Sequence, residues 1–290
     1  MADTLIALGS NLGDKAAGIN AAIEHLASQP HIELTAVAPM LETAPIGVPD
    51  SDAPFINSAA RFQVDLTAEA WLAMLLDTEQ LLGRTRGVRW GARKIDLDLL
   101  LFDDLVANSA PLRVPHPRMG FRRFVMEPAV AIAPDMWHPI CRCKLSELAI
   151  HLNQQANWVW WPREETSLPL DRMIAPNVPW HFLPRGSSAE QWRRAAEWML
   201  EKPIRGPGAR VIVTDDWPAP SDSPERVEAL NDLVTPFPKL VVREWEGLDP
   251  FESLNLAEAS RQPVRLMLPL ESRIADEVRR DVEAAIESML

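Results

Sequence analysis

The sequence contains no tyrosine and only two cysteines. Cys141 and Cys143 are separated by a single residue, so a disulfide between them would be strained, and no second pair exists to complete a zinc site. They read as free thiols of a reducing compartment, and a cytoplasmic protein is expected. No run approaches the roughly 18 apolar residues of a membrane span, and the start Met1-Ala-Asp-Thr4 lacks the positive and apolar regions of a signal peptide. Positive charge is scarce as well. The 29 Lys and Arg against 41 Asp and Glu give a net charge of −12, which argues against nucleic acid as a general partner. Phosphate-loop and GxGxxG patterns are missing, and no internal repeat links the two halves. Eleven tryptophans accompany the missing tyrosines, and the sequence offers no functional account of them.

With 290 residues, 47% of them hydrophobic, the chain has material for two ordinary domains and a sizeable core. The stretch from Arg84 to Phe102 organises it. Its second part, Ile95 to Phe102, is apolar, lacks Pro and Gly, and ends in Asp103-Asp104, which predicts a strand. Side chains alternate along a strand, so Asp96 and Asp98 share a face, roughly 7 Å apart along the chain. Ile95, Leu97, Leu99 and Leu101 are expected on the other face. Two carboxylates in an apolar strand are costly unless compensated. Divalent cations compensate them, and oxygen ligands suit Mg2+. The first part carries four arginines and two glycines within ten residues and reads as a cationic loop. Such a loop beside Mg2+ carboxylates is the equipment of phosphoryl transfer.

Taken in order, Thr4 to Leu8 predicts a strand that ends in a turn-rich loop, Gly9-Ser10-Asn11-Leu12-Gly13-Asp14. Ile19 to Ser28 predicts an amphipathic helix, and Ile32 to Met40 and Phe55 to Val64 two strands. The segment between those strands holds three prolines and a glycine and reads as a structured functional loop. Thr67 to Leu82 predicts a helix capped by Thr67. Val114-Pro115-His116-Pro117 opens another functional-looking loop, and Val125 to Ile132 a helix. Strands outnumber helices, so residues 1–155 are expected to form an α+β domain, a ferredoxin-like, mostly antiparallel sheet with helices packed on it. Residues 156–182, rich in Trp and Pro, read as a linker. Residues 183–290 alternate strand and helix, which favours a small α/β domain with a parallel sheet.

Several blocks in the first half give this pattern a family. Leu8-Gly-Ser-Asn-Leu-Gly13, Glu42-Thr-Ala-Pro-Ile-Gly47, Phe55-Ile-Asn-Ser-Ala59, Arg89-Trp-Gly-Ala-Arg-Lys-Ile-Asp-Leu-Asp98, and Val114-Pro-His-Pro117 with Phe124 occur in the order seen in 6-hydroxymethyl-7,8-dihydropterin pyrophosphokinases. The chain resembles that family over residues 4 to about 150. The resemblance implies Mg2+-dependent transfer of the β,γ-pyrophosphoryl unit of ATP to the hydroxymethyl oxygen of the pterin, leaving AMP, in folate biosynthesis. It implies two Mg2+ ions, bound with ATP at Asp96 and Asp98. It assigns Arg86 and Arg93 to the triphosphate, His116 and Arg122 to its neighbourhood, and Leu99, Leu112 and Arg113 to the adenosine. For the pterin it implies stacking on Phe55 and Phe124, an amide partner in Asn57, ring-edge contacts from Thr43, Ala44 and Ile46, and a cover in Trp90. Glu79 matches a site-facing carboxylate whose role stays open.

Taken without the family, Phe55 and Phe124 would be core residues and His116 a turn residue. Gly9-Ser10-Asn11 reads as a tight turn that supports the site. The chain departs from the family pattern at Leu76, Ala92 and Pro117 and in a slightly short Arg84–Trp90 loop, positions that bear on nucleotide contacts and loop closure. Two other readings stand beside this one. One is a degenerate scaffold, against which the retained Asp96, Asp98, Arg86, Arg93 and Asn57 speak. The other is a bifunctional folate enzyme, although the tail is too short for a dihydropteroate synthase barrel. The tail is of near dihydroneopterin aldolase length but lacks that element order. Asp215 and Asp216 follow a tail strand, where a capped turn is the simpler reading. The tail keeps an unknown role, with homodimerisation as its candidate.

Overall fold

The computed structural model describes residues 1–45, 53–83, 94–161, 177–215, 239–244, 266–270 and 275–290. The chain divides into two compact units, Met1–Ala149 and Ile150–Leu290. Among the described residues no helix is long and apolar enough to cross a membrane.

The first unit is built on one antiparallel sheet. Its strands are β1 (Ala2–Ser10), β2 (Ile32–Val37), β3 (Leu41–Thr43), β4 (Phe55–Val64) and β5 (Asp96–Phe102), in the order β2-β4-β1-β5, with β3 also paired to β4. Helix α1 (Lys15–Ala27) starts a turn earlier than its apolar pattern does, because the Asp14 carboxylate accepts the Ala17 amide hydrogen and caps it. Helix α2 (Ala68–Leu81) begins where expected, with the Thr67 hydroxyl accepting from Ala70. Ile6 and Leu8 of β1, Ala60, Phe62 and Val64 of β4, and Leu97 and Leu99 of β5 form one sheet face, against which α1 and α2 bury their apolar residues. Trp71 of α2 is fully buried there, its ring edge-on to Phe62 with centroids 5.4 Å apart. Its indole N–H donates to Thr4 Oγ1 at 3.2 Å, and that hydroxyl donates to the Leu101 carbonyl, so the polar end of the largest core residue is satisfied.

Helix α3 (Arg123–Ile132) packs on β4, β1 and β3 and adds nothing to that core. A hairpin of β6 (Ala107–Ser109) and β7 (Leu112–Val114) follows β5, and a second small hairpin joins β8 (Trp137–His138) to β9 (Cys143–Lys144). The boundary between units falls within α4 (Leu145–Gln154).

Two local expectations change. The first strand continues through Gly9 and Ser10, which pair with β4, so these residues lie in the sheet and not in a turn. In β5, Ile6 faces Leu99 and Leu5 faces Leu101, leaving Leu100 as an extra residue. This bulge reverses the alternation, and Leu101 sits with Leu5 on the face away from α1 and α2, opposite to its expected side.

The second unit is a parallel sheet of β10 (Trp158–Trp160), β11 (Trp180–Leu183), β12 (Val211–Thr214), β13 (Leu240–Glu244) and β14 (Leu266–Leu270), ordered β11-β12-β10-β13-β14. Part of the stretch expected as a linker is therefore its central strand: Trp158 and Val159 are fully buried, which a solvated linker would not tolerate. Helix α5 (Ala189–Leu200) opens with a capping box between Ser188 and Gln191. Its Trp192 stacks on Trp158 with centroids 5.0 Å apart, so two of the tryptophans find a packing role. The chain ends in α6 (Ala275–Ser288). The strand–helix alternation expected for residues 183–290 includes a helix over Ser223–Val234, which lies outside the described residues.

The starts of three neighbouring strands are tied together by buried polar groups. Asn157 Nδ2 donates to the Arg210 carbonyl at 3.0 Å, and Lys239 Nζ donates to Asn157 Oδ1 at 2.7 Å. Asn157 and Lys239 are both fully buried. The amino ends of β10, β12 and β13 are thus held in register by two side chains.

Candidate active site

Strand pairing fixes what shares the face turned away from α1 and α2. Gly9 pairs with Asn57 on one side and with Asp96 on the other. Two residues earlier, Ala7 pairs with Ala59 and with Asp98. Laterally paired residues point to the same face. The face therefore carries two rows, Asn57–Gly9–Asp96 and Ala59–Ala7–Asp98. Small residues form the middle, carboxylates line the β5 side, and an amide lines the β4 side.

The amide is oriented by its neighbours. Asn57 Nδ2 donates to Thr43 Oγ1 at 2.8 Å, across the β3–β4 pair in which Thr43 faces Phe55. With its nitrogen so engaged, the Asn57 carbonyl oxygen turns over Gly9. A Cβ built on Gly9 would lie 3.3 Å from that oxygen. Phe55, two residues before Asn57, shares its face.

The carboxylates are held from behind and from the side. Glu79, on α2 and 2% exposed, accepts the Leu97 amide hydrogen at 2.7 Å. β5 is an edge strand, so this amide would otherwise be buried without a sheet partner. Glu79 thus fixes the backbone between Asp96 and Asp98, which gives the open residue a structural position. His116 stands beside the pair, its Nε2 4.0 Å from Asp98 Oδ2. The backbone N–H of His116 bonds the Leu100 carbonyl, and its Nδ1 accepts from the Arg118 amide, which leaves Nε2 to carry the proton of the neutral ring on the side of Asp98.

Described residues that follow segments 46–52 and 84–93 in the sequence are anchored. Ser10 Oγ donates to the Lys94 carbonyl at 2.6 Å, and Lys15 Nζ donates to the Pro54 carbonyl at 2.7 Å. Both contacts escape sequence reading, because the partners are 84 and 39 residues apart. Gly83 takes a left-handed φ of +88°, and a Cβ there would lie 3.3 Å from Lys94 Nζ, so the residues flanking 84–93 are close neighbours.

Of the residues expected at the site, Asp96, Asp98, Asn57, Thr43 and Phe55 lie on or beside this sheet face, with His116 next to it. Ala44 is exposed just beyond β3. Arg122 precedes α3, its guanidinium 5.7 Å from the ring centre of Phe124 in the first turn. Arg113 sits on β7, paired with Asn108. Leu99 and Leu112 instead have their side chains in the core with α1 and α2. Any nucleotide contact they make runs through the backbone. Ile46, Arg86, Trp90 and Arg93 lie outside the described residues.

Comparison with known proteins agrees with the residue blocks. The family model described as 7,8-dihydro-6-hydroxymethylpterin-pyrophosphokinase matches residues 5–134. The 2-amino-4-hydroxy-6-hydroxymethyldihydropteridine pyrophosphokinase of Methylorubrum extorquens is 40% identical over 136 residues, 47% of this chain and 85% of that protein. The Bacillus subtilis protein of the same name is 41% identical over 131 residues, 45% of this chain and 78% of its own. Among solved structures, Plasmodium falciparum HPPK-DHPS with pteroate covers 89% of this chain and 65% of its own at 13% identity and a TM-score of 0.42, a likeness too distant to carry an argument. Through its first unit, the chain belongs to the 7,8-dihydro-6-hydroxymethylpterin-pyrophosphokinase family.

Proposed function

We propose that the first unit transfers the β,γ-pyrophosphoryl group of ATP to the hydroxymethyl oxygen of 6-hydroxymethyl-7,8-dihydropterin, releasing AMP, in folate biosynthesis. The observation that carries this reading is the pair of rows across the sheet, which places an oriented amide and two carboxylates on one face with only small residues between them. With the short β3 set aside, the strand–helix–strand–strand–helix–strand succession and the order β2-β4-β1-β5 support a ferredoxin-like description of the unit.

The donor set fits magnesium. Asp96 and Asp98 offer carboxylate oxygens only, and two acids leave room for phosphate oxygens to complete a hard cation's shell. Two Mg2+ ions bound there with ATP supply charge neutralisation across the phosphates. The remaining work is positioning. Asn57 accepts N–H groups of the aminopyrimidine edge, Phe55 and Phe124 stack on the ring, and Thr43, Ala44 and Ile46 border it. Asp96 polarises the attacking hydroxyl. The hydroxymethyl oxygen bonds to the β-phosphorus and releases its proton to solvent as the bond from that phosphorus to the α,β-bridging oxygen breaks, and AMP departs with that oxygen. Little general-base work is needed in so loose a transition state. Arg86, Arg93, His116, Arg113 and Arg122 hold the nucleotide, and Trp90 covers the pterin.

The test is AMP release from ATP, hydroxymethyldihydropterin and Mg2+. The native chain turns over, and Asp96→Ala abolishes turnover while still binding the pterin. Near-native turnover of Asp96→Ala would overturn the reading.

A further inference from the structure

We propose that Ser10 is a positioning residue for the acid pair: from the buried side of the sheet its hydroxyl closes the end of the β1–β5 ladder, and so holds Asp96, but not Asp98, where a divalent cation meets it. The inference rests on the function proposed above.

The two acids are not equally supported. Asp98 lies inside the paired part of β5, because Leu97 on one side faces Leu8 and Leu99 on the other faces Ile6. Asp96 is the first residue of β5 and belongs to the last pair of the ladder, Gly9 with Asp96. β5 is also an edge strand, so no second strand backs that pair. Strand ends with few contacts are where a sheet opens first. A carboxylate carried there keeps its place only if something beyond the ladder holds it.

Ser10 supplies that hold. It continues β1 one residue past Gly9 and pairs with Ile56 on the β4 side. On the β5 side its side chain takes over from the backbone. Its Oγ donates to the Lys94 carbonyl at 2.6 Å, a close O–H···O bond. Ser10 and Ile95 are both fully buried. Alternation along β1 puts the Ser10 side chain on the face of Ile6 and Leu8, toward α1 and α2 and away from the acids. It therefore touches neither the cation nor the substrate. The same carbonyl oxygen lies close to α1, where a Cβ on Gly18 would stand 3.5 Å from it. Asp96 is thus bracketed by two side-chain anchors, Ser10 on Lys94 and Glu79 on the Leu97 amide. Glu79 acts between the acids, whereas Ser10 acts on the Asp96 side alone.

The experiment uses the full chain, with Mn2+ as the probe. It measures Mn2+ affinity in the complex with a non-hydrolysable ATP analogue by electron paramagnetic resonance, kcat and KM for the pterin, and the thermal midpoint. The variants are Ser10→Ala, Ser10→Cys and Thr4→Val. Ser10→Cys fills the space of the native side chain but donates only weakly, which separates the hydrogen bond from a packing effect. Thr4→Val controls for a general loosening of the strand pair. The buried Thr4 hydroxyl also crosses from β1 to a β5 carbonyl, that of Leu101, at the far end of the ladder.

Ser10→Ala is expected to weaken Mn2+ binding about tenfold or more, the scale for groups that orient a metal ligand without touching the metal. Its kcat falls as well, while KM for the pterin stays at the native value. Ser10→Cys follows Ser10→Ala. Thr4→Val lowers the thermal midpoint and leaves Mn2+ affinity and kcat native. A folded Ser10→Ala chain with native Mn2+ affinity overturns this inference alone. So does native affinity in Ser10→Cys, which marks the residue as a space filler, or an equal loss in Thr4→Val, which marks a general loosening of the sheet. A native chain whose nucleotide complex binds no Mn2+ overturns the proposed function along with it.

Discussion

At the scale of single residues, burial decides which groups can change charge. His138 is nearly fully buried, and that burial pushes its pKa down to about 4. Its Nδ1 accepts the Cys141 amide hydrogen at 3.1 Å, a bond that protonation of that nitrogen would forfeit. Above pH 6.5 the imidazole is neutral folded or unfolded and has no effect on stability. Between pH 6.5 and about 4 the unfolded chain takes up a proton that the folded chain refuses. Stability therefore falls with pH across that window, by about 3 kcal/mol in all, and the loss levels off below it. Urea unfolding at pH 7.5 and pH 5 should show about 2 kcal/mol of this loss, and His138→Asn, which keeps an acceptor for Cys141, should flatten the difference.

Glu79 obeys the same logic through hydrogen bonding. Glu79→Ala strands the Leu97 amide at the sheet edge and should cost about 1–3 kcal/mol, while Glu79→Gln, which retains an acceptor, costs less. Thermal unfolding separates the two variants. The alternation that puts Asp96 and Asp98 together was readable from eight residues of sequence. The partner of Glu79 was not, because 18 residues separate it from Leu97 and no local pattern reports which edge amide lacks a strand.

At the scale of elements, local signals located the helices well and strand partners poorly. Thr67 announces α2 because capping is chemistry within a few residues. The extension of β1 through Gly9 and Ser10 depends on pairing with residues near 57 and 96, so a Gly-Ser-Asn sequence that favours turns was overridden. The Leu100 bulge is likewise invisible in a run of three leucines. Trp158-Val-Trp160 was masked by the prolines around it, although its apolar content suited a buried strand. The second sheet rests on the Asn157–Lys239 link. Asn157→Ala removes one partner of Lys239 Nζ and the side-chain donor to the Arg210 carbonyl, and should destabilise the second unit by about 1–3 kcal/mol. Tryptophan fluorescence during denaturation reports it, because Trp158 adjoins the change and stacks on Trp192.

At the scale of the whole molecule, each unit has a core of its own: one between the antiparallel sheet and α1 and α2, the other around Trp158, Leu183, Trp192 and Ile212. Every described residue assigned to pyrophosphoryl transfer lies in the first. A chain ended after Gln155 is therefore expected to keep the pyrophosphokinase activity proposed for the full protein, and a steady-state assay on equal molar amounts checks it. The composition pointed to two domains through length alone, and the change from antiparallel to parallel pairing follows the change in element order. The meeting of Gly83 with Lys94 has a consequence for how this enzyme family can vary. The Lys94 side chain reaches back to Gly83 across ten positions of sequence, so the two described ends are tied to each other, and the spacing of Asp96 and Asp98 is set by pairing with β1 whatever the length of chain between those ends.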